Sequence, residues 1–159
     1  MKLIRRGREN GVRRSVRRRV AGMGVAAVTG ATVLSVAWAP AANADTVTRW
    51  KNQETGRCMY TTSCDLPGYG LFNVHRWRDG TYELKWIRNG TCLDDSALGF
   101  RVYPCNATKF QSWYLHRWND GTTQIKNQAT GRCIDDSREH GLRTFTCNTS
   151  RYQSWYGSW

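Results

Sequence analysis

The chain repeats itself, and the repeat constrains the fold more than any other feature of it. His75-Arg76-Trp77-Arg78-Asp79-Gly80-Thr81 recurs as His116-Arg117-Trp118-Asn119-Asp120-Gly121-Thr122, 41 residues further on. The same step carries Cys92-Leu93-Asp94-Asp95-Ser96 onto Cys133-Ile134-Asp135-Asp136-Ser137. One inserted residue later, Gln111-Ser112-Trp113-Tyr114 maps onto Gln153-Ser154-Trp155-Tyr156. A third copy lies in front: Lys51-Asn52-Gln53-Glu54-Thr55-Gly56-Arg57-Cys58 matches Lys126 to Cys133 at seven of eight positions. A period of about forty residues marks a supersecondary unit that buries its apolar face only against its neighbours.

The cysteines follow the repeat. Cys58 to Cys64 is seven residues shorter than Cys92 to Cys105, and beyond Cys64 the register returns. One deletion between the first unit's two cysteines accounts for this, so each unit owns one pair. The expected bridges are Cys58–Cys64, Cys92–Cys105 and Cys133–Cys147. Counting alone leaves fifteen pairings open; the repeat selects among them. Zinc is disfavoured, because spacings of 6, 13 and 14 lack the close pairs and histidine partners of a zinc site. No cofactor or metal is expected.

The N-terminal segment is read as an address. Eight arginines between Arg5 and Arg19 precede an uncharged run, Val20 to Ala39, and Ala42-Asn43-Ala44 offers small residues to a signal peptidase. Residues 1–44 are therefore expected to be a signal peptide, cleaved before Asp45, and 45–159 a secreted domain with no membrane insertion afterwards. An uncleaved anchor and a twin-arginine signal are the weaker readings. The leader also explains the charge. Residues 1–44 hold nine of the 24 Lys and Arg and one of the 12 acids, so the net of +12 falls to +4 in the 115 residues that follow. A nucleic-acid partner is not expected, since a single-strand binder needs a basic groove. Six cysteines in an exported chain agree with an oxidising compartment.

Asp79-Gly80 and Asp120-Gly121 are hairpin turns between short runs such as Val74 to Trp77 and Tyr82 to Ile87. No stretch holds a helical period. The units, at about 46–81, 82–122 and 123–159, should form an all-β, pseudo-threefold fold, closed so that strand edges are not exposed.

With its Q-x-W triplets at Gln111-Ser112-Trp113 and Gln153-Ser154-Trp155, the chain resembles the ricin B-chain-type β-trefoil lectins. Gly90-Thr91-Cys92-Leu93-Asp94 and Gly131-Arg132-Cys133-Ile134-Asp135 match the G-x-C-[LI]-D stretch ahead of that motif, and a free-standing domain of this size is similar to the actinohivin type of small bacterial lectin. The resemblance implies a monomeric, non-catalytic β-trefoil that binds carbohydrate at two shallow sites. In it, Asp94 and Asp135 would accept sugar hydroxyls, Tyr103 and Phe145 would cover a C–H face, and Asn106, Phe110, Asn148 and Tyr152 would contribute. Phe110 and Tyr152 stand where ricin-type sites carry Asn, so galactose specificity does not carry over.

The remaining residues divide by repeat logic. Trp113 and Trp155 are expected to anchor the core, with Gln111 and Gln153 satisfying nearby backbone groups. His75 and His116 are read as structural, His140 is given no role, and Asp95 and Asp136 are read as solvated turn acids. The first unit has Tyr60 where the aspartate belongs and is expected to bind nothing. Arg101, Lys109, Arg143 and Arg151 occur only in the intact units, which raises an acidic glycan as a possible ligand; balancing nearby acids is the simpler role. A glycoside hydrolase would need an asymmetric carboxylate pair, whereas these acids repeat. The alternative function is a protein-interaction or inhibitor module on the same scaffold.

Overall fold

The computed structural model describes residues 45–159; the expected signal peptide lies outside the described residues. Eleven short strands form one sheet system with two 3-10 turns and, among the described residues, no α-helix. Strand β1 (Thr46–Arg49) and β2 (Lys51–Asn52) are one strand interrupted at Trp50. From β1 the pairing passes through β3 (Leu71–Arg76), β4 (Tyr82–Trp86), β7 (Ser112–Arg117), β8 (Thr123–Asn127) and β11 (Trp155–Tyr156), then returns to β2. The path thus begins and ends on the same interrupted strand, and the barrel closes with six strands. Two hairpins stand off it, β5 (Cys92–Ser96) with β6 (Gly99–Tyr103), and β9 (Cys133–Ser137) with β10 (Gly141–Phe145). This is the β-trefoil arrangement that the repeats require.

The turns are closed as their residues dictate. Asp79 Oδ1 accepts from the Thr81 amide (3.0 Å) and hydroxyl (2.6 Å), and Gly80 takes φ +85°, which costs a residue without Cβ little. The Asp120 turn repeats this.

Nine of the ten residues of the buried core cluster fall into three triplets with one residue per unit, and Val74 is the tenth. Trp50, Leu84 and Ile125 are repeat-equivalent, as are Met59, Leu93 and Ile134, and Phe72, Trp113 and Trp155. The indole Nε1 of Trp113 donates to the Leu93 carbonyl at 3.2 Å, and that of Trp155 to Ile134 at 3.1 Å. Burying an indole this way keeps its large apolar area without stranding its donor. The disulfides join Cys58–Cys64, Cys92–Cys105 and Cys133–Cys147.

The first unit lacks its outer hairpin. Only an isolated bridge, Cys58 to Thr61, stands where β5–β6 and β9–β10 occur elsewhere. Gly70 takes the place of the Q-x-W glutamine, with φ +66°, and a Cβ there would lie 2.8 Å from Cys58 Cβ. A side chain at this position would therefore run into the Cys58 side chain.

Asp95 and Asp136 are not solvated acids. Both are buried, at 0% and 3% exposure, and each ties its unit to the next. Arg132 Nη2 donates to Asp95 Oδ1 at 2.6 Å and its Nε to Oδ2 at 3.1 Å, while Thr130 and Thr144 add hydroxyl donors. Arg57 holds Asp136 in the same bidentate way, at 2.5 and 3.0 Å, with Thr55 beside it. Successive strand residues face opposite sides, but here the second side meets a neighbouring unit instead of water.

Candidate functional site

The C-x-D strands put Asp94 and Asp135 at equivalent positions, opposite Arg101 and Arg143 in register. Arg101 Nε donates to Asp94 Oδ1 at 3.2 Å, and Arg143 Nε to Asp135 Oδ1 at 3.2 Å. On the other oxygen sit the glutamines: Gln111 Nε2 is 3.4 Å from Asp94 Oδ2, and Gln153 Nε2 is 3.5 Å from Asp135 Oδ2. Both carboxylates are consequently almost closed to solvent, at 3% and 4% exposure.

Each guanidinium also covers an aromatic ring. Arg101 Cζ lies 4.4 Å from the centre of Tyr103, and Arg143 Cζ 4.5 Å from that of Phe145. Both rings remain exposed, at 44% and 46%. The unit of construction is a buried acid, an arginine fixed above it, and an aromatic beneath the arginine, made twice.

Gln111 and Gln153 shape the loop that completes each site. Gln111 Oε1 accepts from the Asn106 amide at 2.8 Å, and its Nε2 donates to Pro104 O at 3.1 Å. Gln153 does the same with Asn148 (2.8 Å) and Thr146 O (3.0 Å). Asn106 and Asn148 turn their side-chain carbonyls into their own loop, accepting from Thr108 and Ser150.

In the third unit these parts enclose one open depression of ≈ 580 Å³, lined by Asp135, Arg143, Phe145, Asn148 and Tyr152 among others. Five of the residues singled out by sequence thus meet in one cleft. Tyr103, Asn106 and Phe110 are all exposed in the second unit. The other two cations go elsewhere: Lys109 lines a depression with Trp77 and Asp79, and Arg151 one with Trp118 and Asp120. Two of the four expected cations, Lys109 and Arg151, therefore lie away from the acid–arginine–aromatic sites.

Tyr60, in the first unit, stacks on Trp86 (5.5 Å) and Phe100 (5.8 Å). Burial, and then the nearby Asp94 carboxylate, push its phenol well above the ordinary tyrosine value. The histidines pack: His75 meets Trp77 edge-on at 4.6 Å and His116 meets Trp118 at 4.3 Å. His75 Nδ1 also lies 2.7 Å from Asp45, whose carboxyl is held below its usual value chiefly by that bond. His140 is exposed at a turn, 3.7 Å from Glu139. Glu83, Cys92 and Cys105 lie together, but both sulfurs are in the disulfide and are not thiolate ligands.

A six-stranded barrel of three units, two of them displaying an acid, an arginine and an exposed ring, defines a β-trefoil. Residues 69–141 match the family described as ricin-type beta-trefoil lectin domain-like. No curated protein matches the sequence. Among solved structures, the designed threefold-symmetric protein ThreeFoil is similar at TM-score 0.64 and 16% identity, over 70% of this chain and 96% of that one. An exo-beta-1,3-galactanase from Clostridium thermocellum is similar at TM-score 0.63 and 16% identity, and the hemolytic lectin CEL-III at 0.55 and 19%. This chain spans 70% and 69% of its own length in those two matches and 29% of each of those proteins. At such identities the likeness is one of fold.

Proposed function

We propose that the domain is a secreted, non-catalytic carbohydrate-binding module that holds glycans at the two acid–arginine–aromatic clefts. The observation that carries this reading is the convergence of Asp135, Arg143, Phe145, Asn148 and Tyr152 on one open depression. A sugar would stack on the ring face that the guanidinium leaves free. Its hydroxyls would meet the outer guanidinium nitrogens and the asparagine amide. Asp94 and Asp135 then act mainly from below, fixing each arginine, because their oxygens are already engaged. That modifies the role suggested by the resemblance, in which the acids grip hydroxyls themselves. It also removes half of the basis for an acidic ligand at the clefts, since each arginine's charge is matched by its own aspartate.

Catalysis is not part of this reading. Hydrolysis of a glycosidic bond needs two carboxylates set across the bond. Glu139, the second acid at the Asp135 cleft, is 83% exposed and corresponds to no acid in the second unit's turn, Ser96-Ala97-Leu98-Gly99. Shallow sites of this kind gain from arrays: two on one rigid body raise effective concentration on a polymeric glycan.

A glycan array on residues 45–159 tests the proposal, with the Asp94→Ala/Asp135→Ala and Tyr103→Ala/Phe145→Ala variants alongside. Because both rings are surface groups, the second variant should fold normally. Loss of stacking is expected to weaken binding about tenfold or more. An array without hits would favour the protein-interaction alternative, and hits that survive both double variants would refute the clefts as the site.

A further inference from the structure

Two further depressions repeat around the barrel, and no part of the reading above uses them. One, of ≈ 360 Å³, is lined by Trp77 and Asp79 from the first unit, Lys109 from the second and Gln128 from the third. The other, of ≈ 410 Å³, is lined by Trp118 and Asp120 from the second unit, Arg151 from the third and Gln53 from the first. Every member of one set maps onto the other by one step of the repeat. The pseudo-threefold rotation therefore builds the same notch twice, each time from all three units.

We propose that these notches are a second pair of saccharide sites, and that the Trp77 notch takes an acidic sugar residue. The half-buried indoles are held on edge by His75 and His116, which leaves ring surface at the notch for a C–H face. Each carboxylate is fixed: Gln128 Nε2 donates to Asp79 Oδ2 at 3.1 Å and Gln53 Nε2 to Asp120 Oδ2 at 3.0 Å. An ionised carboxylate has about four lone-pair sites, so acceptor capacity is left over for hydroxyls. A cation beside it donates in return. This alternation of fixed donors and acceptors around an aromatic face suits a ring with adjacent hydroxyls.

The two notches differ in charge. In the Trp77 notch Arg78 and Lys109 face one acid, and Lys109 has no ion pair among the described residues. In the Trp118 notch Asn119 replaces the extra arginine, and Arg151 lies 3.6 Å from Glu54. An anionic group therefore finds an unmatched cation only at the first.

A hairpin staple alone would need the glutamine and the aspartate, but not the cation. The third junction separates these explanations. Where the other units place the glutamine it has Ile87, and where they place the cation it has Gly68. The two groups are kept together or absent together, as parts of one site would be.

The inference shares only its ligand class with the cleft reading, and one experiment separates them. The ¹H–¹⁵N spectrum of residues 45–159 would be titrated with an oligogalacturonide and, separately, with a neutral galacto-oligosaccharide. The indole N–H signals of Trp77 and Trp118 report the notches, and the amides of Phe145 and Asn148 report a cleft. Saturable movement of the Trp77 and Trp118 signals is expected, with the uronide favouring Trp77. Lys109→Ala, an exposed substitution, should weaken that uronide site about three- to fivefold, the upper part of the range for exposed charge contacts, and leave the cleft signals unaffected. Movement of cleft signals with both indoles still would overturn the notches and leave the clefts standing. Indole movement without cleft movement would do the reverse. Silence at every reporter would overturn both, and a uronide site indifferent to Lys109→Ala would overturn the acidic preference.

Discussion

The three junctions between units are built from two different chemistries. Where the second unit meets the third, and the third meets the first, a buried aspartate is gripped by an arginine and a threonine from the next unit. At both, an asparagine closes the adjoining turn: Asn127 Oδ1 accepts from Ala129 and Thr130, and Asn52 Oδ1 from Glu54 and Thr55. Where the first unit meets the second, none of these residues is present. Thr61 stands for the aspartate, Thr91 for the arginine and Trp86 for the asparagine. Tyr60, Tyr69 and Phe72 gather on Trp86, with Arg88 lying 4.0 Å over Tyr69. The junction beside the lost hairpin also lacks the polar connection, through substitutions in both units, and aromatic stacking fills the gap. A polar junction is demanding, because losing one member strands the rest. An aromatic one is tolerant, since its attraction is spread over many weak contacts. Within one small barrel the two solutions can be compared directly.

The largest test removes a junction arginine. Arg132→Ala would leave Asp95 without its charged partner; because the arginine is itself 40% exposed, the expected cost is about 2 kcal/mol, below that of breaking a fully buried pair. Arg57→Ala should behave alike through Asp136, whereas Thr91→Ala, at the equivalent place in the aromatic junction, should change little. Chemical denaturation of the three variants checks this. Equal costs at all three positions would mean that the ionic junctions are not special.

These junctions also mark what the sequence hid. The barrel, the turns at Asp79-Gly80 and Asp120-Gly121 and the tryptophan anchors are legible because each is local or recurs at a fixed step. The burial of Asp95 and Asp136 is neither. Their partners lie 37 and 79 residues away, in other units, and the expectation of solvated acids assumed a strand with one wet face. A signal was nevertheless present. Arg precedes Cys58 and Cys133 but not Cys92, so the cation occurs in the two units that can receive an aspartate from the preceding one. The candidate site was legible by residue and only in part by role. Acid, aromatic and asparagine were singled out, and Arg101 and Arg143 were given the simpler role of balancing nearby acids, which their pairing with Asp94 and Asp135 fits; that each arginine stands between acid and ring requires the β5–β6 and β9–β10 registers, which spacing alone leaves unfixed.

A smaller effect, of opposite sign, is expected at the aromatic junction. The Tyr60 hydroxyl is buried and has no hydrogen-bond partner among the described residues, as is the Trp86 Nε1. A buried polar group without a partner costs ~1–3 kcal/mol. Tyr60→Phe removes that cost while keeping both ring stacks, so it should stabilise the domain by ~1 kcal/mol. A loss of stability on thermal or denaturant unfolding would show that the phenol has a partner in solution, and that this junction is polar after all.

The smallest effect concerns a second connection made by the two turns that carry the junction arginines, Arg132 and Arg57. Gln128 reaches Asp79 and Gln53 reaches Asp120, while Ile87 offers no such bond at the third. Hydrogen bonds from Thr81 and Thr122, first through their hydroxyls, hold the Asp79 and Asp120 carboxyls below their usual value. An acid whose value is lowered by folding adds stability above its unfolded value near 3.8, and that contribution is lost as pH falls through the lower, folded one. Both groups stand in solvent, so the contribution is modest. Asp79→Asn/Asp120→Asn should therefore lower Tm slightly at pH 7, and the gap to the parent should close as pH is taken from 5 toward 2. A gap that stays constant across that range would mean that ionisation of these carboxyls contributes nothing to the turns. The charges of Asp79 and Asp120 would then be no part of what sets the ionic junctions apart from the aromatic one.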